Sequence, residues 1–135
     1  MNSKTLLIKR FRENFNLSTD GRKVNKVLHE NLIVEEMNEL LQAVREDDFP
    51  NIIKEYVDIM FVVEGYLLDL GIAHNINPMF AATYDNNMAK LGKDGKARFR
   101  EDGKLIKPDG FVKLVPGTIT NFSTRELGRI KRKLT

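Results

Sequence analysis

From Thr5 to Leu91 the apolar positions recur every three or four residues, the period of a helix with one buried face. Leu7, Ile8, Phe11 and Phe15 predict a short amphipathic helix over residues 4–15, and Asn16 to Gly21 reads as a loop. Val24, Val27, Leu28, Leu32, Val34, Met37, Leu40, Leu41 and Val44 predict a long helix from Arg22 to about Glu46, uninterrupted by proline or glycine. Asp47 or Asp48 is placed to cap the next helix, and Pro50 suits a first turn where no N–H is needed. That helix runs through Val63 to Leu70 and stops at Gly71. Asn77 and Pro78 open another through Met79, Phe80, Tyr84 and Met88, ending near Leu91-Gly92.

The pattern then changes. Lys96 to Ile106 predicts a small hairpin turning at Asp102-Gly103, and Pro108, Gly110, Pro116 and Gly117 mark an irregular basic segment. Ser123 and Glu126 have the spacing of a capping box before a short basic C-terminal helix. The expectation is a helical core followed by a basic hairpin and tail.

Two acidic clusters interrupt apolar runs that are expected to be buried: Glu35, Glu36 and Glu39 in the first, Glu55 and Asp58 in the second. On a helix the first three fall within an arc of about 100°, and Glu55 and Asp58 are about 60° apart. The short connection around Asp47–Pro50 predicts that the two long helices fold back antiparallel. Glu39 and Glu55 are similarly far from that turn, so four or five carboxylates are expected at one level. Ionised carboxylates so placed need a cation. Between Glu30 and Asp69, basic residues are limited to Arg45 and Lys54. An all-oxygen set favours Mg²⁺ or Mn²⁺ over zinc, and magnesium commonly completes its shell with water and substrate phosphate.

Composition narrows the chemistry. The 135 residues suffice for one domain with a core. No cysteine is present, which excludes disulfides, thiolate metal sites and a cysteine nucleophile, and two histidines are too few for a histidine-rich zinc site. The N-terminus does not read as a signal peptide and no run predicts a membrane span, so a cytoplasmic protein is expected. The net charge of +3 hides an asymmetry. Residues 1–87 carry 9 Lys/Arg against 14 Asp/Glu, and residues 88–135 carry 13 against 5. The basic part suits either nucleic acid or the phosphates of a small ligand.

Glu35-Glu36-x-x-Glu39 followed by Glu55-x-x-Asp58 resembles the EExxE…ExxD signature of the all-α nucleoside triphosphate pyrophosphatases. The resemblance covers roughly residues 20–92, and the phosphoribosyl-ATP pyrophosphohydrolase-like branch of these MazG-like proteins is the most similar. It implies an all-α, four-helix-bundle-like core within a domain over residues 1–117, with residues 118–135 as a basic tail. It also implies a homodimer or homotetramer and Mg²⁺-dependent cleavage between the α- and β-phosphates of a nucleotide. By position, Glu36, Glu39, Glu55 and Asp58 would be metal ligands, with Glu35 holding a second metal or orienting the attacking water. Asn87 and Lys90, one turn apart, would contact phosphate or nucleotide, with Lys93 and Arg98 adding positive charge, and Lys96 and Arg100 as further candidates.

Other residues read more plainly. His29 and His74 are expected to be structural, Phe11 and Phe15 core or interface, and Met37, Met60, Met79 and Met88 core filler. The tail residues Arg125, Arg129, Lys131, Arg132 and Lys133 read as a solvated helix. Two other functions fit the composition: a non-catalytic nucleic-acid binder using the basic C-terminal part, and a catalytically silent nucleotide or metal sensor. The first lacks an aromatic–basic platform and a recognition-helix signature.

Overall fold

The computed structural model describes residues 1–21, 24–120 and 122–134. Six α-helices account for most of them: α1 (Ser3–Asn14), α2 (Lys26–Arg45), α3 (Phe49–Leu70), α4 (Ile76–Met88), α5 (Gly117–Thr120) and α6 (Thr124–Leu134). A single 3-10 turn, Ala73–Asn75, precedes α4. No strand and no membrane-spanning helix occurs among the described residues. The chain is all-α, as expected. It divides into two compact units, Met1–His74 with Ser123–Thr135, and Asn75–Phe122.

In the first unit α2 and α3 form an antiparallel hairpin, and α1 packs on α3. The local causes are visible in the caps. Asn2 Oδ1 accepts from the Thr5 amide at the start of α1 (2.9 Å). Asn25 Oδ1 does the same for Leu28, so α2 begins at Lys26 rather than near Arg22; Arg22 and Lys23 themselves lie outside the described residues. Asp48 caps α3 through the Asn51 amide, and Gly71 ends it in the left-handed conformation at φ 78°. Between the two long helices Asp47 takes φ 54°, a conformation that Asp tolerates better than most residues, and this closes a three-residue turn. Thr5, buried at the α1–α3 contact, donates to Glu64 Oε2 (2.7 Å).

The core is smaller than the apolar pattern predicts. Ile8, Ala43, Leu68 and Ala73 are its fully buried apolar residues among those described. Along the runs carrying the acidic clusters, Val34, Met37, Leu41, Tyr56, Val57 and Phe61 are exposed, contrary to expectation. Met37 and Met88 are exposed rather than core filler, and Phe11 and Phe15 are exposed while touching each other (centroids 4.9 Å apart). The cause is a helical pair with few partners: each long helix has apolar residues on more than one face, and the facing helix, with α1 added on α3, covers only part of them. The packing in this unit is a helical hairpin flanked by α1, and a four-helix bundle is not formed by it.

In the second unit α4 packs against α5, a short helix not foreseen from the sequence. Asn86 holds the irregular segment by donating to Val112 O (2.7 Å) and accepting from Leu114 N (3.2 Å). The expected hairpin reduces to a turn. Phe99 and Leu105 make one isolated antiparallel bridge, and Gly103 turns at φ 85°. With a single bridge the flanking residues remain exposed and no strand extends from it. At the start of α6, which belongs to the first unit, the capping box holds: Ser123 N donates to Glu126 Oε2 (2.9 Å), and Glu126 N to Ser123 Oγ (3.1 Å). Lys133, named with the basic tail, has a side chain outside the described set, as does all of Thr135.

Candidate metal and active site

The helical hairpin brings the two acidic clusters together. One carboxylate oxygen from each of Glu36, Glu39 and Glu55 lies within 4.8 Å of the others. Glu36 and Glu39 are one turn apart on α2, and the three-residue turn sets the register that places Glu55 of α3 opposite them. Glu55 is buried, Glu36 half-buried and Glu39 exposed, so the cluster opens outward. Glu36 Oε2 and Glu55 Oε2 are sealed from solvent without any hydrogen-bond partner. Buried carboxylate oxygens are ordinarily paired, and two unpaired ones facing a third acid mark a place suited to a cation.

The electrostatics agree. The carboxyl of Glu36 is pushed up to about 7, first by burial, then by the charges of Glu39 and Asp58 and by its contact with Glu55. Glu39 is raised too, chiefly through hydrogen bonding and repulsion with Glu55, and Lys54 partly offsets this. The oxygen-only donor set, the two orphaned atoms and the mutual repulsion fit a hard divalent ion.

The other expected site residues fall out differently. Asp58 lies near enough to act on Glu36 electrostatically, but its Oδ2 is paired with Lys54 Nζ at 2.5 Å. The same ammonium stands 3.5 Å from Glu55 Oε1, and its hydrogen bond to Asp58 holds the Lys54 pKa above its usual value. Lys54, counted from sequence only as a nearby charge, thus caps one side of the cluster. Glu35 is exposed and outside the group of three, acting on Glu39 through its charge. In the second unit Asn87 and Lys93 are exposed and Lys90 is half-buried at the end of α4. Arg98 is held by Asp94 through two bonds, 2.8 and 3.2 Å, so its guanidinium is already engaged. Arg98 also lowers the Asp94 carboxyl to about 2.

The family model for phosphoribosyl-ATP pyrophosphohydrolase matches residues 5–87. The chain belongs to the phosphoribosyl-ATP pyrophosphohydrolase family. The match spans all of the acidic hairpin and places the chain in the MazG-like all-α nucleoside triphosphate pyrophosphatase superfamily. Membership in the phosphoribosyl-ATP pyrophosphohydrolase family supports a nucleotide pyrophosphohydrolase activity. Comparison with curated proteins gives no match.

A second polar cluster was not foreseen as such. His29 is structural to the extent that it is buried and bonded, its Nε2 lying 2.7 Å from Asp69 Oδ2, with its ring stacked on Tyr66. Arg12 lies 3.7 Å from the same carboxylate and donates from Nε to Ser18 O (2.9 Å). Asp69 and Arg12 carried no sequence signal beyond their charge. The one hint was an acid, Asp69, between the apolar Leu67-Leu68 and Leu70, with no basic residue nearby in sequence.

Proposed function

We propose that this chain is a Mg²⁺-dependent nucleotide pyrophosphohydrolase that cleaves between the α- and β-phosphates of a nucleoside triphosphate or of phosphoribosyl-ATP, giving a monophosphate and pyrophosphate. The observation that carries the reading is the convergence of Glu36, Glu39 and Glu55 within 4.8 Å in a chain of this family. These three would hold the ion, joined by Asp58 once its carboxylate leaves Lys54. Bound there, Mg²⁺ or Mn²⁺ would polarise a phosphoryl oxygen and acidify a water.

The chain's own residues supply the rest. Glu35, exposed beside the cluster, is the candidate for orienting the attacking water or holding a second ion. Lys54, freed from Asp58, offers a cation to a phosphate oxygen. Asn87, Lys90, Lys93 and Arg98 are proposed as phosphate contacts on the chemistry of their side chains, Arg98 once it leaves Asp94. The exposed apolar stripe of α3, Phe49, Ile53, Tyr56 and Val57, supports self-association as a homodimer or homotetramer.

The test is a panel of canonical and modified (d)NTPs and phosphoribosyl-ATP with product analysis. Pyrophosphate is the expected product; orthophosphate would refute the cleavage position, and no turnover of any member would refute the enzyme. Glu36→Gln and Asp58→Asn are expected to abolish turnover while the helical circular dichroism signal is kept.

A further inference from the structure

The C-terminal helix α6 sorts its side chains into two stripes. At about 100° per residue, Leu127, Ile130 and Leu134 fall within an arc of about 60°. Arg125, Arg129 and Arg132 fall within another arc of about 60° on the nearly opposite side. Ile130 and Leu134 are half-buried, so the apolar stripe is partly covered by the chain itself. The three arginines are exposed and form a ridge about 10.5 Å long.

Nothing within the helix accounts for this ridge. Like charges at i, i+3 and i, i+4 repel one another and weaken a helix. The helix dipole favours cations at the C-terminal end, whereas Arg125 stands in the first turn, at the positive end. Glu126, the one acid of α6, has an oxygen given over to the Ser123 amide. Among the described residues, the guanidinium of neither Arg125 nor Arg129 has an ion pair or a hydrogen bond. The exposed guanidinium groups of Arg98 and Arg100, by contrast, are held by Asp94 and Asp102.

A row of mutually repelling cations calls for a row of anions. Guanidinium suits phosphate, because its planar fork offers paired N–H donors. A nucleic-acid duplex carries about one negative charge per 1.7 Å of its axis, so a ridge of this length meets several phosphates without touching a base. Gly128, helical like its neighbours, stands beside the ridge and adds no side chain to obstruct that approach. A lipid surface is served less well, since the stripe that would enter it is the one partly covered. A single strand is held largely by aromatic stacking, and α6 has no aromatic residue. We propose that α6 is a docking ridge for the phosphate backbone of a nucleic-acid duplex, with Arg125, Arg129 and Arg132 as the phosphate contacts. The contacts carry no sequence preference, and the inference stands apart from the hydrolase reading.

The test is fluorescence anisotropy of a labelled DNA duplex of about 20 base pairs with the full chain, at about 50 and 200 mM KCl. Three phosphate contacts give log K against log salt a slope of about −2.7, so wild type should bind about fortyfold more weakly at the higher salt. The triple variant Arg125→Gln/Arg129→Gln/Arg132→Gln should lose that slope and bind at least about tenfold more weakly at the lower salt. Its pyrophosphate release should match wild type, so failure of the hydrolase reading and failure of this one are seen separately. A wild type that leaves the duplex unbound at about 100 μM protein and low salt overturns the proposal. So does a triple variant that binds as wild type does, which would place the contacts elsewhere. Tighter binding of the single strand, or capture by phosphatidylserine vesicles in place of the duplex, overturns the choice of partner. Should the triple variant lose its helical circular dichroism signal, Arg129→Gln alone decides: a slope shallower by about 0.9 supports the ridge, and an unchanged slope refutes it.

Discussion

Protons and metal should compete for Glu36, and the competition can be measured. With its carboxyl at about 7 in the metal-free protein, Glu36 is roughly half protonated at neutral pH. An ion that needs the carboxylate sees an apparent dissociation constant multiplied by 1 plus the ratio of acid to base form. For a pKa of about 7 that factor is about 1.1 at pH 8 and about 11 at pH 6, so Mg²⁺ or Mn²⁺ should bind about tenfold more weakly at the lower pH. The upward shift of Glu39 acts in the same direction and can only steepen the dependence. Calorimetric titration with MnCl2 at the two pH values, in two buffers of different ionisation enthalpy, reads both the affinity and the protons released. About one proton per ion is expected at pH 6 and close to none from Glu36 at pH 8. Glu36→Gln should bind more weakly at pH 8 and show a flatter profile. Equal wild-type affinity at both pH values, with no proton release, would refute the assignment of Glu36 as a ligand.

The same shift fixes the sign of a stability effect. Between its ordinary value of 4.5 and about 7, the folded protein holds the Glu36 proton that the unfolded chain has lost, so the metal-free fold should weaken as pH rises through that window. Urea midpoints at pH 5 and 7.5 read it, and added Mg²⁺ should recover the loss. Glu55→Gln, which removes one of the crowded charges, is expected to raise the midpoint of the metal-free protein at pH 7.5 even as it abolishes turnover. Thr5→Val removes the 2.7 Å bond to Glu64 at a buried site and should cost about 1–2 kcal/mol in urea unfolding. Gly71→Ala puts a side chain on a left-handed residue at φ 78° and should cost about 1 kcal/mol by the same assay. Ile53→Glu, in the exposed stripe of α3, should shift sedimentation toward a smaller species; an unchanged sedimentation coefficient would rule this face out as the association surface.

The helices were largely legible because their signals are local. Asp48, Pro50 and Gly71 bracket α3, and Ser123 with Glu126 announces α6, each by bonds made within a few residues. Asn25 is an equally local cap, but Val24 extends the apolar period across it and hides the start of α2. Glu36, Glu39 and Glu55 were found together because one short turn relates them and spacing on two helices then suffices. Burial is not legible, for the opposite reason. Whether Val34, Met37 or Val57 is covered depends on neighbours far away in the chain, which periodicity does not specify. Asp69 meets His29 forty residues away, and Thr5 meets Glu64 fifty-nine away; neither pair has a local signature. The ion pair of Lys54 with Asp58 was within reach, since an i, i+4 pair on one helix is a spacing rule.

The three-residue turn from Glu46 to Asp48 lies outside the acidic cluster, yet it sets the phase between the two helices that carry it. Deleting one residue after the turn would rotate Glu55 about 100° around α3 and slide it about 1.5 Å, carrying its carboxylate off the line facing Glu36 and Glu39. The number of residues between the helices is therefore a dimension of the acidic cluster itself, much as a hinge pin decides whether two blades meet. Side-chain substitutions at Glu46 leave the geometry standing, whereas a change in the number of residues dismantles the site without touching any of its acids.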